Sequence, residues 1–298
     1  MRRTKSEEAD ESFFVSMTDI MVGLLFIFIM IIMYFALQTR IDQAENERLV
    51  GIIEEAGGIE TYANLDGYQS LILAQRSQLL RWIGSLLNDR GISGIELIEE
   101  SGVMRLPEGI LFDSGEYEFD KTSEAYRVAT TLAEALAQIL PCSVFNSIGE
   151  PLVDPEACRI SRYHNRNFAY VQGIYIEGHT DDDEIDEEVG LSGDPNLTNN
   201  LKLSARRSTN TFDSITSVSP EILTYHGPVV EGERLRFEPV LASSAYGESR
   251  PIASNESEEG KKANRRIDLR VEMFLPPSVS AAQTFLGSLN KNLEDIVL

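Results

Sequence analysis

Positive charge is scarce in this chain. Lys and Arg number 26 against 48 Asp and Glu, a formal net charge of −22 with a pI near 4.5. Such a surface repels phosphate backbones and argues against a nucleic-acid partner. Histidine is limited to His164, His179 and His226, so a His-rich metal site is not expected. There are two cysteines, Cys142 and Cys158. They either close one short loop or are two unrelated buried thiols; an extracytoplasmic location would make the bridge plausible. No nucleophile–base constellation is evident, and His179, beside Asp181, has no His or Cys at ligand spacing. The sequence therefore points away from an enzyme and implies no cofactor.

What the chain does have is one long apolar run. Phe13–Leu37 is polar only at Ser16, Thr18, Asp19 and Tyr34. About 20 apolar residues suffice to cross the hydrocarbon layer, so a single transmembrane helix over 13–38 is expected. The run is too long for a cleaved signal peptide, and no small-x-small site follows it. Arg2, Arg3 and Lys5 precede it, which biases the N-terminus toward the cytoplasm. Asp19 falls inside the run, where a carboxylate costs roughly 2.5–3.5 kcal/mol on insertion scales. Ser12, Ser16, Asp19 and Gly23 form one small-and-polar stripe at helical spacing, a surface for other helices rather than for lipid. Asp19 either hydrogen-bonds at the interface or a neighbouring helix, or loads and releases a proton during ion passage.

The 298-residue chain divides by composition. Residues 1–12 read as a cytoplasmic tail. Residues 39–95 read as a juxtamembrane spacer, with a short amphipathic helix over 41–53 and a second helix from Tyr68 to Asn88, stopped by Gly91. Residues 96–275 alternate strand and helix, and 276–298 form a tail helix. Two short strands, the second ending near Phe112, lead to a helix over 123–140 capped by Ser123. A strand over 168–181, a helix over 200–215, one strand within "LRFEPVLASSAYGESRPI" and a last strand in "ANRRIDLRVEMFL" follow. This order predicts an α/β fold: βαβαβ, a mixed sheet with helices packed on one face.

The segments "LPEGILFDSGEYEF", "IEGHTD", "NLKLSARR" and "AYGESRPIASNESEEGKKANRRIDLRV" resemble, in order, the motifs of the OmpA-like peptidoglycan-binding domain. Together with "TDIMVGLLFIF" in an N-terminal span, the chain resembles a MotB-type stator subunit of a proton-driven rotary motor. That family's membrane motif has Met at +2, a small residue at +4 and Phe at +9 from its Asp, and Asp19, Met21, Gly23 and Phe28 satisfy it. The flavour of the membrane run and the insertions is more similar to B subunits of Zorya anti-phage defence systems than to flagellar MotB.

The resemblance implies a ligand, the diaminopimelate-containing stem peptide of peptidoglycan, and a set of residues for it. Asp181 of "HTD" is expected to accept from the ligand ammonium, while Arg207 of "LSARR" and Arg265, the first Arg of "NRR", grip its carboxylates. Asn200 matches the family's Asn before the Leu, and Asp113, after Phe112, is a candidate for the remaining wall. The segment between Asp181 and Arg207 is longer than in the family and includes "DDDEIDEEVGLSGDP", which could reshape the pocket. Its acidic run, 181–188, lacks the spacing of a calcium loop and reads as solvated. The implied partners are a second copy of the chain, a pentameric ring of MotA-like multi-span subunits, peptidoglycan and inner-membrane lipid. Asp19 would carry the translocated H⁺ in a single-pass inner-membrane protein whose C-terminal domain is periplasmic. Rival readings are a flagellar-type stator and a static membrane-to-wall tether without ion conduction.

Overall fold

The computed structural model describes residues 21–22, 24–37 and 65–276 except 113, 155–156, 159–160, 164, 166–168, 186–190, 192–193 and 233, together with 281, 284 and 285. The chain forms two units, Met1–Leu65 and Asp66–Leu298. In the first, residues 24–37 are helical, and the large apolar side chains there are 45% to 64% exposed on every face. No helix among the described residues is long and apolar enough to cross a membrane. Asp19 and the rest of the polar stripe, like the helix expected at 41–53, lie outside the described residues.

The second unit opens with helix α1 (Leu65–Asp89), whose 3.6-residue pattern is fulfilled by Ile72, Leu79, Leu80, Ile83 and Leu87, all buried. Gly91 at φ 77 ends it, and the N–H of Ile92 donates back to the carbonyl of Leu87. Strands β1 (Glu96–Ile98) and β2 (Val103–Pro107) form an antiparallel pair. Helix α2 (Glu124–Ile139) starts where expected, the Ser123 side chain accepting from the N–H of Tyr126. Then come β3 (Val171–His179), α3 (Asn200–Val218), the hairpin β4 (His226–Glu231) and β5 (Arg234–Pro239), β6 (Leu241–Gly247), the short helix α4 (Glu258–Asn264) and β7 (Arg266–Met273).

The main sheet is five-stranded and mixed, in the order β1-β2-β7-β3-β6, with β3 and β6 parallel and the other pairs antiparallel. Met104, Leu106, Ile174, Ile176, Ile267, Leu269 and Val271 make the apolar face that the helices cover. Their alternating neighbours Arg105, Glu177, His179, Arg266, Asp268 and Arg270 point the other way.

Three expectations change. The second strand stops at Pro107, because Gly109 (φ 84) turns the chain and its N–H donates to the carbonyl of Phe112. "LRFEPVLASSAYG" is two strands, because the chain changes sheets at Val240, whose N–H goes to Tyr225 and whose carbonyl accepts from Ile174. The strand β4 and its separate two-stranded sheet with β5 were not foreseen.

Cys142 and Cys158 are bridged, with their Cα atoms 5.5 Å apart, which settles the choice the sequence left open. The bridge lies at the start of β3, beside an aromatic cluster of Phe145, Tyr170, Phe274 and Phe285.

Candidate functional site

The other end of β3 carries a row of charge. In antiparallel register Pro107 of β2 faces Arg266 of β7, and Arg266 faces His179 of β3. The residues just beyond these strand ends, Glu108, Arg265 and Asp181, are therefore neighbours. Arg265 bridges the two acids. Its Nε donates to Glu108 Oε1 at 2.5 Å and its Nη2 to Glu108 Oε2 at 2.8 Å, while its Nη1 donates to Asp181. All three side chains are nearly enclosed, at 11%, 9% and 8% exposure for Arg265, Glu108 and Asp181. Hydrogen bonding to Glu108 and then to Asp181 raises the Arg265 pKa against the opposing effect of burial.

Arg207 reaches this row from α3, over the helical face of the sheet. Its Nε donates to the carbonyl of Glu116 at 2.8 Å and its guanidinium lies 5.7 Å from the centroid of Phe112. Burial pushes its pKa down to about 10, and the carboxylates of Glu108 and Asp181 oppose that shift. It remains a cation at neutral pH. The helix is seated by Gly178 and Ser204: the Ser204 hydroxyl accepts from the N–H of Gly247, which ties α3 to the end of β6. Asn199 caps the helix by accepting from Lys202, and Asn200 follows it with its amide donating to the carbonyl of Asp183 at 2.9 Å. Among the described residues the site thus brings two guanidiniums, Arg207 and Arg265, to two carboxylates, Glu108 and Asp181. It can take up a group that presents both an ammonium and a carboxylate, by exchange with its own ion pairs.

A cleft of about 1030 Å³ adjoins, with Asn200 and Leu201 on one wall and Asp182, Tyr246, Gly247 and Glu248 among the others. Its acids disfavour a polyanion. In the acidic run, Asp183 is bound by Lys261 at 2.6 Å; residues 186–188 lie outside the described residues.

A second cluster lies on the opposite face of the sheet from α3, where Glu177, His179 and Asp268 bring ligand-type atoms within 4.8 Å of one another. The surroundings do not suit a metal ion. Both oxygens of Glu177 are taken by Arg270 at 2.9 and 2.8 Å, and Asp268 is held by Arg105 and Arg266 at 3.1 and 3.0 Å. A dication would have to displace guanidiniums that already hold these oxygens, and it would meet their repulsion.

Of the residues singled out from the sequence, Asp181, Arg207, Arg265 and Asn200 converge on one end of the sheet. Asp113 and Asp19 lie outside the described residues. Glu108 was missed, although an acid directly after a strand that pairs antiparallel with the "NRR" strand marks its place. The neighbouring Arg266 has a different part: strand alternation sends it to the opposite face, where it binds Asp268 and the carbonyls of Asn264 and Arg250.

Neither a protein-family model nor a curated protein sequence matches the chain. Among solved structures it is similar to a MotB-like protein from Desulfovibrio vulgaris, at 22% identity and a TM-score of 0.42, covering 69% of this chain and 94% of that one. The cell wall anchor of the type VI secretion system from Pseudomonas aeruginosa is similar at 16% identity and a TM-score of 0.39, covering 66% of this chain and 97% of that one. The periplasmic domain of Helicobacter pylori MotB (its residues 78–256) is similar at 17% identity and a TM-score of 0.36, covering 68% and 90%.

Proposed function

We propose that this chain is a cell-wall-anchored stator subunit of a proton-driven membrane motor. Its folded domain binds the diaminopimelate-bearing stem peptide of peptidoglycan in the periplasm, and Asp19 carries the proton in the inner membrane. The observation that carries the reading is the enclosed set of Arg207, Arg265, Asp181 and Glu108 at the end of β3, two charges of each sign for a ligand with charges of each sign. The Cys142–Cys158 bridge supports an oxidising compartment. The helical residues 24–37, apolar on every side, support a lipid or multi-helix environment, since water would not sustain such a surface. As a stator, the chain would dimerise inside a ring of MotA-like subunits. The similarity of its membrane motif to Zorya B subunits makes anti-phage defence the favoured output over flagellar rotation.

The test is co-sedimentation of the full chain, in detergent, with purified peptidoglycan sacculi. Wild type is expected in the pellet. Arg207→Ala and Asp181→Ala are each expected to weaken binding at least tenfold while melting within a few degrees of wild type. Folded variants that sediment like wild type would overturn the assignment.

A further inference from the structure

The site holds a carboxylate that the motif resemblance does not supply, and its bonding differs from that of Asp181. Glu108 takes two nitrogens of Arg265, side-on, with both of its own oxygens; Asp181 takes only one. A forked, two-bond grip is the stronger and the more directional. Arg265 is therefore held by Glu108 and lent to Asp181. Because Glu108 is 9% exposed, its charge is felt across the site with little screening, and it is the leading carboxylate acting on Arg207.

We propose that Glu108 is the residue that sets the ligand's charge: by neutralising Arg265 permanently, it removes one net positive charge from the site and selects a zwitterion over a dicarboxylate. This inference rests on the peptidoglycan reading and names the discriminating residue within it. Among the described residues, Glu108 and Asp181 match Arg207 and Arg265 one for one and Glu116 adds negative potential at Arg207, so a bound group must bring an ammonium for its carboxylate or leave a buried charge uncompensated. Such a group places its ammonium on Asp181, in place of the single Arg265 bond. Its carboxylate then takes the released Nη1 of Arg265 together with Arg207. Without Glu108 the same site is more positive by one charge and penalises a plain dicarboxylate less. Glu108 touches Arg265 rather than the ligand, so it is a positioning residue.

The experiment is equilibrium binding to the full chain in detergent, by titration calorimetry, with two soluble probes. One is meso-2,6-diaminopimelate; the other is pimelate, which has the same carbon chain and carboxylates without the ammonium groups. Wild type is expected to prefer diaminopimelate at least tenfold. Glu108→Gln should reduce that preference about tenfold by tightening pimelate, and Glu108→Asp should restore most of it. A wild type that prefers pimelate overturns the inference whether or not the Gln variant folds. So does a folded Glu108→Gln with an unchanged preference, while sacculus binding by wild type keeps the underlying reading in place. Wild type that binds neither sacculi nor diaminopimelate sinks the wall-binding reading itself.

Discussion

His179 is 1% exposed, yet neither ring nitrogen has a hydrogen-bond partner among the described residues. It stacks on Tyr246 with ring centroids 5.3 Å apart, and its Nε2 lies 3.6 Å from Asp268, beyond hydrogen-bond reach. Burial pushes its pKa down to about 3, and Arg266, Arg250 and Arg105 add to the effect while Asp268 opposes it. The imidazole is accordingly neutral in the folded chain at any ordinary pH. In the unfolded chain it gains a proton near pH 6.5. Between about pH 6.5 and 3 the unfolded state binds one more proton than the folded state. Stability therefore rises with pH in that window and falls on acidification, by up to about 1.4 kcal/mol per pH unit from this group. His179→Phe, which keeps an aromatic ring against Tyr246, should remove that component. Urea unfolding of the two proteins at several pH values between 7 and 4 checks it, and identical slopes would show that His179 does not titrate as argued. The sequence placed this histidine next to the site without a role, and the structure turns it toward the other face of the sheet. Which face it takes depends on the strand register, a non-local fact that the motif "GHTD" does not contain.

The Gly of that same motif sets how closely helix α3 lies on β3. A methyl group on Gly178 would stand 2.2 Å from the carbonyl oxygen of Ser204, backbone that no rotamer change can move aside. Pairing with β6 shifts register at Gly178/His179, so the strand is already distorted where the helix approaches. Gly178→Ala must lift α3, and Arg207, one turn beyond Ser204, moves with it. A loss of about 1–3 kcal/mol is expected from overpacking, measured by urea unfolding, together with weaker sacculus sedimentation in the protein that remains folded. Unchanged stability would mean that the helix tolerates a larger separation than the structure shows. Elements of this kind were legible in the sequence because their signals are local. Ser123 and the 3.6-residue pattern marked α2, and the alternation after "NRR" marked β7. In "ASN…ANRR", the buried Asn264 accepts from the N–H groups of Ile252 and Ala253 and so shapes the loop before Arg265. The β4–β5 hairpin was not legible, because nothing within "LRFEPVLASSAYG" says that its halves pair with different partners. Glu108 escaped for the same reason: its meaning comes from lying across the sheet from Arg265.

The proposed motor assigns separable chemistry to the two units and needs both. Torque requires one part to stay fixed while another turns, so a subunit that carries the proton but lacks a grip on the wall would rotate with its ring and do no work. In the proposal the grip is that of Arg207 and its partners in the unit from Asp66 onward. In the same proposal the proton seat is Asp19, which precedes that unit in the chain. This division yields opposite signatures for two single substitutions in cells that hold the complete complex. Asp19→Asn should assemble and sediment with sacculi like wild type, yet conduct no protons and give no defence or motility output, because an amide cannot exchange a proton at physiological pH. Arg207→Ala should lose sacculus binding and output but keep a proton flux comparable to wild type once the complex is activated, since its deficit is mechanical. Membrane-potential and intracellular-pH measurements, read beside sacculus co-sedimentation, separate the pair. Full output from Asp19→Asn, or from Asp19→Ala, would reduce the chain to a static tether between membrane and wall. Retained output from an Arg207→Ala protein that no longer binds sacculi would mean that the fixed frame is something other than peptidoglycan.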